Sequence, residues 1–364
     1  MQNGYVAFSG ATISSTGTGN DWLSLEPADA VDAAGALLVP GFVDIHGHGG
    51  GGCSFDSDAS DIRTALAVHR SHGTTRSVLS LVTGSIDDLV ERVALVADLT
   101  ESDPTILGSH LEGPFLDVGH KGAHDPDLLC APDAATIARL LTAGRGTIRQ
   151  VTLAPELVGG MDAVRQFTAA GVAVAVGHTD TDFEGARRAF DAGASILTHA
   201  FNAMNGIHHR HPGPVLAAAA TPTVTLEIIN DGVHVHPDVV RLAFSVAPGR
   251  IALVTDAMAA AGSTDGSYQL GTLSVEVVDG VARLADGDSI AGSTLTQDAA
   301  LRRAVTEVGL PVAEAMAAIT ETPARAIGRA HDLGRLDVGF AADAVLLDDG
   351  YAVTAVWAAG ARVR

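Results

Sequence analysis

The chain has 364 residues, with 22 Lys or Arg against 43 Asp or Glu and a formal net charge of −21, which argues against nucleic acid and anionic membrane surfaces as partners. A 47% hydrophobic content with no apolar stretch of membrane-spanning length indicates a globular interior rather than a disordered or membrane chain. The N-terminus, MQNGYVAFSG, has neither a basic region nor an apolar signal core, so a cytoplasmic location is expected; Cys53 and Cys130 are too few for a disulfide framework.

Up to about Val39 the sequence shows short β-like stretches rich in Gly, Ser and Thr. From there eight apolar runs follow: Leu37–His46, Thr74–Val82, Thr105–Glu112, Ile148–Pro155, Val172–His178, Ile196–His199, Val224–Asn230 and Ile251–Asp256. Helix-period alanines and leucines separate them, over Ile62–His72, Asp87–Leu99, Thr136–Leu141, Ala163–Ala170, Glu184–Ala192 and Val239–Val246. Near-continuous Val/Ile/Leu strands alternating with helices mean a parallel sheet buried on both faces, and eight such units fit a closed (β/α)8 TIM-type barrel. A doubly wound open sheet is the alternative, but GHGGGGC lacks the G-x-G-x-x-G spacing such a sheet usually carries after its first strand. After the eighth run, LSVEVVDGVARLADG reads as a hairpin on an Asp279-Gly280 type I′ turn, with its domain undecided. The last segment, Gly339–Arg364, has the β character of the first. Together residues 1–39 and 339–364 are expected to form one small β domain of sandwich type, with residues 40–338 as the barrel.

His46 and His48 stand i, i+2 at the end of the first run, where both side chains can point one way and reach one metal ion. The pattern alone is weak. Chance gives about 0.6 such pairs in this composition, and the chain has His209/His211 and His234/His236 as well. Position strengthens the first pair, because the C-terminal ends of barrel strands form the active-site face. Glu112, His178, His199 and Asp256 end the third, fifth, sixth and eighth runs. Singly, a strand-end histidine is more often a hydrogen-bonded structural residue, and a strand-end aspartate is often a helix cap. Together, His and carboxylate at five strand ends of one rim are a donor set for a borderline divalent ion.

The segments PGFVDIHGHGG, SHLEGPF, KGAHDP, VGHTDT, THAFNAMN, HHRHPG, DGVHVHP, VTDAM and IAGSTLTQ, with ETPARAIG and GRLDVGFAADAVLL near the end, resemble the N-acetylglucosamine-6-phosphate deacetylases of the amidohydrolase superfamily over nearly the whole chain. Many barrel hydrolases of that superfamily bridge two metals with a carboxylated lysine on the fourth strand. The only lysine here is Lys121, outside IRQVTLAPE, so the resemblance gives the bridging role to Glu112. It implies a main metal site of Glu112, His178 and His199 and a second site at His46 and His48. Asp256 would serve as metal-side general base and acid, and His234 would polarise the acetamide carbonyl. Ala123, His124, Asn202, Ala203, Asp231 and Ile290, Ala291 and Gly292 are the implied substrate contacts. Arg210 is the implied phosphate ligand, reaching across a homodimer interface.

The implied cofactor is one or two divalent ions, zinc first, with iron, manganese or cobalt as alternatives. The implied reaction hydrolyses N-acetyl-D-glucosamine 6-phosphate to D-glucosamine 6-phosphate and acetate. Three other readings stand beside it. A dihydroorotase-like or D-amino-acid deacylase enzyme is opposed by the missing lysine and by LEGP and FNAM. A non-catalytic relative is opposed by the intact ligands and base. Deacetylation of the galactosamine epimer is not separable by sequence.

Overall fold

The computed structural model describes residues 3–25 and 29–364. At its centre eight parallel strands pair in chain order: Phe42–Asp44, Thr74–Val82, Ile106–Glu112, Ile148–Leu153, Ala173–Val176, Ile196–Leu197, Thr225–Ile229 and Ile251–Val254. The first and last are joined by single bonds, Asp256 N–H to the His46 carbonyl at 2.8 Å and Thr255 Oγ1 to Asp44 Oδ2 at 2.6 Å. The expected TIM-type barrel is therefore present.

Helices cover the outside, and their starts are written in the sequence. Asp58, Ser85, Asp133 and Asp182 cap Ala59–Ser71, Ile86–Ser102, Ala134–Gly144 and Phe183–Asp191 by accepting first-turn N–H groups. Along Ile86–Ser102 the buried Leu89, Val93 and Val96 recur at i, i+4 and i+7, and this stripe packs on the strands. Among the described residues, four further α-helices lie outside the expected runs: Gly213–Ala219, Gln297–Thr306, Val312–Ile319 and Glu321–Ala326.

The barrel interior is polar at mid-height. Ser80, His110, Thr152 and Thr198 form a buried hydrogen-bonded series, each link 2.8 Å. Burial, aided by neighbouring His46, pushes the His110 pKa well below the usual range, so this imidazole stays neutral.

The single strand expected over Leu37–His46 is two strands. Leu37–Pro40 joins an antiparallel sheet with Ala344–Leu347, Val353–Ala358 and Ala361–Arg362, while Phe42–Asp44 enters the barrel. Gly41 is the crossing point: a Cβ there would lie 2.1 Å from Thr75 Oγ1 and 2.8 Å from Asp343 Cβ. The first residues form a separate hairpin, Gly4–Ser9 with Thr12–Thr18, held to the C-terminal segment by Ile13 N–H to Phe340 O and Ala342 N–H to Ala11 O. The terminal segments thus meet in two small sheets. Residues 1–2 and 26–28 of the expected terminal domain lie outside the described residues.

Where the four-stranded sheet abuts the barrel, Arg76 grips Asp343 with Nε–Oδ2 at 2.5 Å and Nη2–Oδ1 at 3.1 Å, both side chains buried. Losing one partner would strand a desolvated charge. Asp343→Ala should cost about 3–5 kcal/mol in urea unfolding; a loss under about 1 kcal/mol would show the pair to be dispensable.

The segment after the eighth strand is a three-stranded meander, Gly266–Leu270, Leu273–Val278 and Val281–Leu284. Asp279 and Gly280 have φ of 51° and 74°, as a type I′ turn requires. The meander joins neither terminal sheet. Leu270, Val275, Val277 and Ala282 pack on Val82, Ala123, Met258 and Ala291, which sets the meander over one side of the barrel mouth. Among the described residues, no helix is long and apolar enough to cross a membrane.

Candidate metal centre and substrate cleft

Every expected ligand lies at or just past the C-terminal end of a barrel strand. Parallel strands put those ends on one rim. The backbone turns sharply there: His178, His199, Asp256 and Ala203 have φ of 47°, 23°, 48° and 49°. Non-glycine residues hold that conformation at roughly 1–3 kcal/mol each. Local bonds enforce it, for example Asp256 N–H to His46 O and Ser293 N–H to Asp256 O at 2.7 Å. The turns deliver the side chains into a common volume.

Glu112 sits at the centre of that volume. Its Oε1 lies 3.3 Å from His46 Nε2 and 3.2 Å from Nε2 of both His178 and His199. Its Oε2 lies 3.0 Å from His48 Nε2 and 3.6 Å from His124 Nε2. Asp256 Oδ1 is 3.2 Å from His48 Nε2 and 3.5 Å from His46 Nε2. Two donor groups result, each with its ligand atoms within 4.8 Å of one another: His46, His48, Glu112 and Asp256, and Glu112, His124 and His178. Glu112 belongs to both. His199 adjoins the second through Nε2, 2.9 Å from that of His178. His124, expected only as a substrate contact, stands among the possible ligands.

The hydrogen-bond partners test whether an ion fits. His178 Nδ1 donates to the His120 carbonyl at 2.9 Å, which leaves the Nε2 lone pair of a neutral ring facing Glu112 and His199. His46 Nδ1 lies 2.9 Å from Glu227 Oε2, and its Nε2 is buried without a hydrogen-bond partner. Lone pairs aimed at a carboxylate and at each other repel unless a proton or a metal cation lies between them. The donor set therefore fits one or two divalent ions.

The titration behaviour reflects the same concentration of charge. Burial disfavours the charged form of His46, but Glu112, Glu227 and Asp256 raise its pKa well above the histidine range. His48 is likewise carried against burial to about 9 by its bonds to Asp256 and Glu112. Burial also opposes ionisation of the two carboxylates. The neighbouring His46, His124, His178 and His199 rings nevertheless hold Glu112 well below its usual range, and His46 and His48 bring Asp256 to about 2. His124 is driven down to about 4, chiefly by burial, and bonds Thr83 Oγ1 through Nδ1 at 2.8 Å.

A cavity of about 530 Å³ opens above this floor, with His48, Glu112, His178, His199 and Asp256 at its base. Its wall includes Ala123, His124, Asn202, Ala203, His234, Ile290 and Gly292, all expected as substrate contacts. Three expected contacts are elsewhere. Asp231 acts through His234, accepting from its Nδ1 at 2.7 Å and its backbone N–H at 2.9 Å. Burial opposes charge on that ring, but the Asp231 pair raises its pKa, which favours the form with an N–H on Nε2 as well. Ala291 is fully buried in the meander's core, behind Ile290 and Gly292. Arg210 is exposed and borders a separate groove with Asn205, His208 and His211; within one chain it does not line the cavity.

Other residues find their places. Lys121 lies in the loop after the third strand, its Nζ 3.4 Å from the His124 carbonyl, and the fourth strand carries Gln150 in the interior. Cys53 Sγ contacts Asp61 Oδ1 at 3.6 Å and belongs to neither donor group. His69 bonds the Gly49 carbonyl and His72 bonds Asp298. Two groups of the site were not anticipated. Arg283, on the meander, lines the cavity and bonds the Asp288 carbonyl at 2.9 Å; no spacing or motif marks it. Glu227 lies fully buried beneath the metal centre, and its one sequence signal is a carboxylate inside the apolar run VTLEII.

Comparisons with known proteins agree with this geometry. A mutant N-acetyl-D-glucosamine-6-phosphate deacetylase from Mycobacterium smegmatis, solved in complex with N-acetyl-D-glucosamine-6-phosphate, is 43% identical with a TM-score of 0.92, covering 99% of this chain and 94% of that one. N-acetylglucosamine-6-phosphate deacetylase from Pasteurella multocida is 28% identical with a TM-score of 0.93, covering 99% and 94%. An N-acetylgalactosamine-6-phosphate deacetylase from Escherichia coli O157:H7 is 39% identical over 92% of this chain and 89% of its own length. The profile of the amidohydrolase family matches residues 37–363, and with these relatives it shows that the chain belongs to the amidohydrolase family.

Proposed function

We propose that this chain is a metal-dependent amide hydrolase that converts N-acetyl-D-glucosamine 6-phosphate to D-glucosamine 6-phosphate and acetate. The observation that carries this reading is the pair of donor groups sharing Glu112 at the floor of a sugar-sized cavity. Hydrolytic deacetylation of a phosphosugar agrees with the printed activities of relatives that span most of the chain.

His46, His48, Glu112, His178 and His199 would hold one or two ions, zinc first, with iron, manganese or cobalt as alternatives. A divalent ion in this position makes water more acidic, toward a pKa of about 7, and draws electron density from an amide carbonyl. Asp256 is ionised and lines the cavity, so it can accept the proton of the attacking water. It then hands that proton to the leaving nitrogen, which is too basic to depart as an anion. His234, held by Asp231, presents Nε2 to the cavity and donates to the carbonyl oxygen as negative charge develops there. Ala123, His124, Asn202, Ala203 and Ile290–Gly292 form or back the walls that orient the sugar.

For the phosphate we assign Arg210, acting in the partner's cavity within a homodimer. Its exposure and its place outside its own cavity suit that role. Guanidinium supplies a two-pronged donor that matches a phosphate. In verified heterodimers, an Arg210→Ala subunit paired with an Asp256→Asn subunit should regain activity, because one hybrid site is then whole. No recovery would mean that Arg210 does not act across the interface. Phosphorylated sugars do not cross membranes unaided, so a cytoplasmic setting belongs to the same reading.

The reading is tested by acetate release from N-acetylglucosamine 6-phosphate, N-acetylgalactosamine 6-phosphate and unphosphorylated N-acetylglucosamine. The first should have the highest kcat/KM, and loss of the phosphate should lower it by roughly 10–100-fold, the weight of one charge-assisted contact. Faster turnover of the galactosamine epimer would reassign the substrate.

A further inference from the structure

Beneath the two donor groups lies a buried carboxylate that no catalytic step uses. Glu227 is in the middle of the seventh barrel strand and has no solvent exposure. Its Oε2 accepts from His46 Nδ1 at 2.9 Å and from the backbone N–H of His199 at 3.3 Å. Its Oε1 accepts from Gln150 Nε2 at 2.7 Å. Its backbone carbonyl takes the N–H of Ala200 at 2.7 Å. One residue thus touches the ring of His46 in the first donor group and the left-handed turn carrying His199, whose Nε2 adjoins the second.

We infer that Glu227 is the positioning residue of the metal centre, fixing His46 with its proton on Nδ1 and seating the His199 turn, so that both donor groups depend on it. A neutral imidazole carries one proton. A carboxylate against Nδ1 keeps the proton there, leaves the Nε2 lone pair for an ion, and makes that nitrogen a better donor. The same oxygen restrains the strained backbone at His199, whose φ of 23° needs support from its surroundings. Loss of the Glu227 charge therefore weakens ion binding on both sides of Glu112, rather than on the His46 side alone. The inference rests on the metal-centre reading of the preceding section.

Glu227→Gln tests it with little change in shape. Gln150 Oε1 is buried without a hydrogen-bond partner, so Gln150 can turn its amide over and accept from the new side chain. The variant removes charge while leaving that contact satisfiable. The measurement is zinc binding to metal-free protein, by competition with a chromophoric chelator, for wild type, Glu227→Gln and Gln150→Met. The inference expects Glu227→Gln to bind zinc about 10–100-fold more weakly, at every site the wild type fills, and Gln150→Met to stay near wild type.

Equal affinity in wild type and Glu227→Gln would overturn it, and so would equal weakening in both variants, which is the behaviour of a general packing residue. A wild type that takes up no zinc would overturn the metal-centre reading and this inference together. Should Glu227→Gln fail to fold, zinc-loaded wild type decides by NMR. A slowly exchanging His46 Nδ1–H resonance, assigned by its loss in His46→Gln, supports the inference, and its absence overturns it.

Discussion

Asp256→Asn should lower the rate of deacetylation by about 10²–10⁴-fold or more, the usual contribution of a general acid–base group, while leaving zinc bound. Asparagine keeps the shape of the side chain and a carbonyl oxygen, but it can neither accept the proton from water nor return it to the amine. Asp256 contacts only the His46 and His48 side of the centre, at 3.5 and 3.2 Å, so the groups around His178 and His199 remain complete. Substrate binding should also survive, because the cavity wall is unchanged. Near-wild-type turnover would remove Asp256 as the base. Loss of all metal together with rate would make it a ligand first and reopen the identity of the base.

Glu112→Gln should have an even broader effect. Glu112 is the one residue shared by the two donor groups, and its carboxylate lies within 3.6 Å of five imidazole nitrogens. A neutral amide contributes one weak oxygen donor and places an N–H₂ group against histidine lone pairs or an ion. We expect substoichiometric metal on both sides and a fall in activity of roughly 10³-fold or more, equivalent to the several kcal/mol that a bound ion supplies. His46→Ala, by contrast, should remove only the ion of its own group. Elemental analysis of the purified variants checks both; full metal content in Glu112→Gln would show that the shared carboxylate is not a ligand.

The barrel was legible because its strands are buried on both faces, which leaves them as apolar runs such as Ile251–Val254, all four residues buried. The rim was legible because a strand end followed by His or a carboxylate is an unusual sight five times over. What escaped the sequence did so for specific reasons. Leu37–His46 read as one strand because both halves are apolar, although Pro40-Gly41 is a local sign of a break; the contact that demands glycine comes from Thr75 and Asp343. Gly213–Ala219 is seven residues of small apolar side chains with no polar face to show a helical period.

The meander over the cleft had a clear turn signal at Asp279-Gly280 but no local sign of what it would cover. Its apolar face meets residues as distant as Val82 and Ala123. Glu227 and Arg283 carry no motif, and their importance lies wholly in what the fold brings beside them. The resemblance named Arg210, yet a single chain leaves it outside the cavity.

The account stands most directly on one measurement: acetate release from N-acetylglucosamine 6-phosphate by the protein as purified, after removal of metal with a chelator, and after reloading with zinc. The account predicts turnover that disappears with the metal and returns with zinc. Acetate release that persists undiminished in verified metal-free protein, or no release at any metal loading, would contradict it.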